Sequence, residues 1–220
     1  MSGSVKRRAY DNSRRRAGAR GTRQAIVTGA RELFIDLGYP NTTFAAIAER
    51  AGVSVQTVYG YFPAKRDLVH DVVDQAIAGD DLPVPIADRP EVAAMRAEPD
   101  PAQKIRLHAS FVATIMQRAA PVDQMLRGAA AVDPEVAELW TSGAWARQAG
   151  MVAFATHLAE GGHLRDDLSI EEAAERMAVL IDPEVYRMTV GLRGWSTRQY
   201  EDWLAELLIA SLLRSPAASR

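Results

Sequence analysis

The 220-residue chain contains no cysteine. Disulfides, thiolate metal ligands and a cysteine nucleophile are therefore excluded. Histidine is scarce, with four in all. His157 and His163 are six residues apart, the wrong spacing for two ligands on one helix face. Neither a GxSxG nor an HExxH motif occurs, and "EGGHL" lacks the Gly-x4-Gly-Lys-Ser/Thr pattern of a phosphate loop. No apolar run approaches the roughly 20 residues of a membrane span. The basic N-terminus has no apolar stretch behind it, so it does not read as a secretory signal. No segment alternates apolar and polar residues over a useful length, which leaves no sheet. A cytoplasmic, non-enzymatic chain with no cofactor and no metal is the expectation.

What is present is unevenly charged. The net charge is −2, but the first 25 residues carry eight bases against the single acid Asp11. The rest of the chain is correspondingly acidic. A basic head on an acidic body points to a polyanionic partner. The bases directly before the first strong helix signal, among them Arg14, Arg15, Arg16, Arg20 and Arg23, suit phosphate or groove contact. Residues 1–21 read as a disordered basic arm, since they have little to bury.

Helical spacing starts in earnest after that arm. Ile26, Ala30, Leu33 and Leu37 form one stripe with Phe34 beside it, and Gly38 ends the helix. A second helix follows, with Thr42 as N-cap and Phe44, Ile47, Ala48 and Ala51 inward. Gly52-Val53-Ser54 makes a tight turn, and a short third helix spans Val55 to Phe62. Gly52 supplies the left-handed geometry and Ser54 a cap. Val58 and Phe62 stand i, i+4 on the inner side. Gln56, Thr57, Tyr59 and Tyr61 remain for the outside, and their amide and hydroxyl groups can read base edges or bind phosphate. This is a helix-turn-helix with the third helix as its recognition helix.

The segment "TTFAAIAERAGVSVQTVYGYFPAKRDLV" resembles the N-terminal signature of the TetR family of one-component transcriptional regulators. Thr42-Thr43, Ile47-Ala48, Ala51 to Ser54, Thr57, Tyr59, Tyr61-Phe62, Lys65 and Leu68 carry the resemblance. Two positions depart from the family pattern. Tyr61 stands where His is usual, and Phe44 where some members carry a base-reading basic residue; Phe44 is expected to pack instead. The resemblance implies that Thr43, Tyr59 and Lys65 hold phosphates, that Val55, Gln56, Thr57 and Tyr61 face the major groove, and that Ser54 at the helix start also contacts DNA. Gln56 has the chemistry for a bidentate bond to adenine, and Val55 can touch a thymine methyl.

A fourth helix with Leu68, Val72, Val73 and Ile77 inward leads to a connector rich in proline and acids, with one helical turn near Glu91–Arg96. Further helix starts are marked by Asp100-Pro101, Asp133-Pro134 and Asp182-Pro183. Ser169-x-x-Glu172 and Ser196-x-x-Gln199 are capping boxes. The whole reads as all-α: a helix-turn-helix domain over residues 22–65, joined to a helical effector-binding and dimerisation domain over residues 66–220. In the last helix Trp203, Leu204, Leu207, Leu208, Ile209, Leu212 and Leu213 cover more than one face. The family resemblance makes this surplus a homodimer interface. It also implies a small effector held between the middle helices. Candidate lining residues are His108, Phe111, Met116, Met125, Trp140, Trp145, Met151, Phe154, His157 and Met177. The expected function is a repressor released from a palindromic DNA operator by a small molecule. The alternatives are a helical ligand-binding protein without DNA function and a sequence-indifferent DNA architectural protein. Loss of all DNA binding at low salt marks the first, and a salt slope without a preferred palindrome the second.

Overall fold

A computed structural model describes residues 4–214, and of residues 4–16 the backbone alone. Among the described residues ten α-helices form: α1 (Ser4–Leu37), α2 (Phe44–Ala51), α3 (Val55–Tyr61), α4 (Lys65–Ala78), α5 (Pro90–Ala97), α6 (Pro101–Ala130), α7 (Pro134–Glu160), α8 (Ile170–Leu180), α9 (Pro183–Tyr186) and α10 (Thr197–Leu212). A 3-10 turn, Ile86–Asp88, precedes α5, and a π-helical segment, Arg187–Leu192, continues α9. No strand forms among the described residues; one isolated bridge joins Leu164 to Leu213.

The punctuation residues act as their chemistry dictates. Asp100, Asp133 and Asp182 each accept a backbone N–H two residues on, and Ser169 and Ser196 close reciprocal capping boxes with Glu172 and Gln199. Gly52 ends α2 with φ 66°, a conformation that a side chain would strain. Three boundaries differ from the sequence expectation. The N-cap of α2 is Thr43, whose Oγ1 accepts from Ala46 N at 3.2 Å. Thr42 is buried instead, its hydroxyl donating to the Leu33 or Gly38 carbonyl. The turn near Glu91–Arg96 is the two-turn helix α5. And α1 starts at Ser4, so from that residue on the stretch read as a disordered arm continues the helix; residues 1–3 lie outside the described residues. Arginine and alanine are strong helix formers, and a helix already nucleated by a packed segment extends cheaply through them.

Two hydrophobic cores form, and α6 runs through both. The distal core gathers Ile105, Ala109, Val112 and Met116 of α6 with Ala155 and Leu158 of α7, Met177 of α8 and Tyr200, Leu204, Leu208 and Leu212 of α10. The proximal core gathers Ile26, Phe34, Ile47, Val58, Phe62, Leu68 and Val72 with Val122, Met125, Leu126 and Ala129 of α6 and Val136 of α7. Pro121 lies inside α6 at the boundary. It cannot donate to the carbonyl four residues back, so a bend at this boundary costs little. The small N-terminal unit is thus not closed on itself: the α6–α7 corner completes its core.

Leu204, Leu208 and Leu212 do not lie on the dimer surface that the sequence suggests. They are fully buried against their own subunit, so they are core residues and not interface residues. A helix with apolar residues all round is buried on several sides when three neighbours flank it. Trp203 is half-buried and Leu207 exposed.

Candidate nucleic-acid interface

The recognition helix is short and fixed at both ends. Ser54 Oγ accepts from Thr57 N at 3.0 Å and shares a 2.8 Å hydrogen bond with Thr57 Oγ1. Val58 and Phe62 anchor its inner side in the proximal core. Val55, Gln56 and Tyr59 are left exposed on the outer side. Gln56 makes no hydrogen bond among the described residues, so its amide keeps full capacity for a base edge. Tyr59 meets the Phe44 ring edge-on, with centroids 4.7 Å apart. Phe44 packs as expected, and by doing so it holds the tyrosine ring with 55 % of the residue still exposed.

Other sequence-predicted residues have different duties. Thr57 is half-buried, and its hydroxyl is engaged by Ser54. Thr43 spends its oxygen on capping α2, although it lies exposed at that helix start. Tyr61 is half-buried and lines a shallow depression of about 370 Å³ with Arg20, Arg23, Gln24 and Asp81, away from the Gln56–Tyr59 face. On a seven-residue helix, positions 59 and 61 point to nearly opposite sides. Lys65 donates to the carbonyls of Tyr39 at 2.7 Å and Thr42 at 3.1 Å, and its ammonium sits over the Tyr39 ring. Burial lowers its pKa. An ammonium has three protons, so one remains for a phosphate. Arg20 is paired with Asp81, and Arg23 lies 2.5 Å from Asp71 and over the Phe62 ring. These two arginines meet acids of their own chain in this structure.

The unit is wired to the rest of the molecule. Tyr39 Oη donates to Asp133 at the α6–α7 corner (2.8 Å), and Arg66 pairs with Glu135. Burial, followed by the carboxylate it bonds, pushes the Tyr39 phenol up. Arg118 of α6 donates to the Ala76 and Ile77 carbonyls, capping the end of α4.

The candidate effector residues split among several sites. Met116, Met151 and Met177 lie in the distal core, with Phe111 half-buried on α6. Met125 and Trp140 belong to the proximal core, where Trp140 Nε1 donates to Asp123 at 3.1 Å. Trp145 is 71 % exposed and lines no interior space. His108, Phe154 and His157 do come together, His108 stacking on Phe154 with centroids 4.2 Å apart. Lys104 joins them, its Nζ 2.7 Å from His157 Nε2. The sequence signal for it was the i, i+4 spacing from Lys104 to His108, which sets a lysine on an inward stripe.

Residues 26–72 match the family described as bacterial regulatory proteins, tetR family. The chain is 28 % identical over 172 residues to YdeS of Bacillus subtilis, an uncharacterized HTH-type transcriptional regulator; the match covers 77 % of this chain and 79 % of that one. Among solved structures, one described as a TetR-family regulator from Mesorhizobium loti superposes with TM-score 0.68 at 21 % identity, covering 89 % of this chain and 98 % of that one. One described as a transcriptional regulator from Saccharomonospora viridis, in complex with choline, gives 0.68 at 19 % identity, covering 88 % and 98 %. NalD of Pseudomonas aeruginosa, the secondary repressor of the MexAB-OprM multidrug efflux pump, gives 0.66 at 21 % identity, covering 90 % and 100 %.

Proposed function

For a chain that is a DNA-binding transcriptional regulator of the TetR family, we propose a cytoplasmic, non-enzymatic repressor that binds a palindromic operator as a homodimer and leaves it when a small molecule binds. The observation that carries the DNA half is the outer face of α3. Gln56 and Tyr59 stand exposed on a helix whose two ends are fixed, one by a serine cap and the other by a buried phenylalanine. A rigid presentation of the Gln56 amide to the major groove, with the Tyr59 phenol beside it for a phosphate, needs no ordering on binding. Thr43 and Lys65 flank this face and supply phosphate contacts from their remaining donors.

A single seven-residue helix reads few base pairs, and a two-fold pair doubles them. With Leu204, Leu208 and Leu212 committed to the core, the dimer surface is read from what remains outside. Met188 and Leu192 of the π-helical segment are exposed, as is Leu207 of α10. Trp195 and Trp203, both half-buried, meet edge-on with centroids 5.7 Å apart. This apolar patch suits a second copy of the chain. Leu207→Glu should give monomers by sedimentation with an unchanged thermal melt at low concentration.

The effector half rests on α6. Its two halves belong to different cores with Pro121 between them, so a ligand among the distal residues changes the platform that completes the proximal core. Neighbours of the same fold include one holding choline and one efflux-pump repressor, which supports this arrangement. An effector releases DNA only as far as its affinities for the two states differ.

Selection of DNA fragments bound by the purified protein tests the whole reading. It should return a palindrome with half-site centres roughly 34 Å apart, or a multiple. Binding without a preferred palindrome would identify an architectural protein, and no binding at low salt a helical ligand-binding protein.

A further inference from the structure

Lys104 and His108 lie one turn apart on α6, and Phe154 and His157 one turn apart on α7. Lys104 Nζ contacts His157 Nε2 at 2.7 Å and donates to the Arg96 carbonyl at 3.2 Å; His157 Nε2 is 3.2 Å from that same carbonyl. Arg96 sits at the end of α5. Lys104 is 4 % exposed and His108 5 %.

Two features go beyond what a packing role requires. Among the described residues Lys104 forms no ion pair; Glu98 acts on it only at longer range. Buried ammonium groups are ordinarily paired, because desolvation is costly. Holding one backbone carbonyl needs no charge, since a neutral amide would do it. Second, His108 Nε2 is buried with no hydrogen-bond partner. Such atoms are rare in folded proteins. The cluster thus concentrates nitrogen functions and lacks negative charge, beside the aromatic face of Phe154 and near the positive end of α6.

We propose that Lys104, His157, His108 and Phe154 form a recognition site for a small organic carboxylate with an apolar body. Its carboxylate takes the place of the Arg96 carbonyl at Lys104, whose ammonium keeps its second hydrogen bond to His157 Nε2. Its apolar body lies along Phe154 toward His108. An organic cation is disfavoured by the same uncompensated ammonium. Occupation also releases the end of α5. The start of α5 is held by Arg89, which forks onto Asp80 with bonds of 2.8 and 3.0 Å. The next residue, Asp81, holds Arg20 of α1. A carboxylate at Lys104 therefore acts on the basic end of α1 through α5, in addition to the path along α6. The regulatory part of this inference rests on the effector-released repressor proposed above; the site itself does not.

Calorimetry on the full chain without DNA tests the site, using octanoate and phenylacetate against octanol and octylamine. The carboxylates should bind, with affinity about tenfold or more above octanol and no binding of octylamine. Lys104→Met, of similar volume, should remove the preference, and Lys104→Arg should keep it. Should Lys104→Met fail to fold, the ring resonances of His108 and His157 in the unmodified chain give the answer: they should move with octanoate and stay with octanol. Equal binding of octanol and octanoate, an unchanged affinity in Lys104→Met, static ring resonances, or no carboxylate binding would each overturn the site. Octanoate binding that leaves operator affinity unchanged would overturn the effector reading and keep the site. Operator release by another compound, with no carboxylate bound, would do the reverse.

Discussion

The two halves of α6 belong to two differently finished cores. Around Val122–Ala129 the rim is closed by specific polar bonds: Tyr39 to Asp133, Lys65 to two carbonyls, Trp140 to Asp123, Arg118 to the end of α4. Around Ile105–Ala120 the buried polar atoms His108 Nε2 and Tyr200 Oη lack a hydrogen-bond partner, as Arg31 Nε of α1 does on the proximal side. Each costs about 1–3 kcal/mol relative to a bonded one. The first region is built to hold one geometry, as a reader of DNA requires. The second leaves hydrogen-bonding atoms free beside the ligand site proposed above.

Cutting into the distal core should give the largest effect. Leu208→Ala removes a fully buried side chain and should cost about 2–5 kcal/mol in chemical denaturation. Leu207→Ala, one residue away and exposed, should change stability of the monomer by about 0.5 kcal/mol or less. If the two costs were reversed, Leu208 would be an interface residue after all.

His108 sharpens the contrast through pH. Burial lowers its pKa from the ordinary 6.5 to about 4. The unfolded chain therefore binds the proton first as pH falls, so stability drops between about pH 6.5 and 4. The lowered pKa sets this loss at roughly 3 kcal/mol. His108→Phe should flatten that part of the stability profile. An identical slope in the variant would mean the imidazole is solvated.

In the proximal region Lys65→Ala should do two things where a purely phosphate-binding lysine does one. Losing its two carbonyl bonds should lower stability by about 1–3 kcal/mol. The salt dependence of DNA binding should also fall by about one unit per site. A flattened salt slope with full stability would return Lys65 to the role read from the sequence.

Gln56→Ala should leave stability unchanged and cost about 1–3 kcal/mol of discrimination at one symmetric pair of operator positions. Loss spread evenly over all sequences would remove Gln56 from base readout. The smallest effect belongs to Gly52→Ala, about 1 kcal/mol, because the φ of 66° strains any Cβ although nothing lies within 4 Å of it.

The helix-turn-helix was legible because its information is local. Gly52, Ser54, Val58 and Phe62 sit within eleven residues of one another, and caps and short turns act within a few residues. Ser54 and Thr57 illustrate the limit: their types suggested outward chemistry, but they spend their hydroxyls on each other. The body was legible in its boundaries and not in its faces. Asp100, Asp133, Asp182, Ser169 and Ser196 announced helix starts, and every one is a cap. Which side of α10 meets the core depends on α6, some hundred residues earlier in the chain.

By itself the sequence determined an all-helical chain, its helix starts, the reversal at Gly52 and the apolar anchoring of α3, since propensity, capping and periodicity depend on near neighbours. Only the tertiary structure decided that Leu204, Leu208 and Leu212 are interior, that Trp145 is not, and that Lys104 lies buried beside His157. Periodicity tells which residues share a face, but burial is set by what else packs against that face, and those partners are distant in the chain.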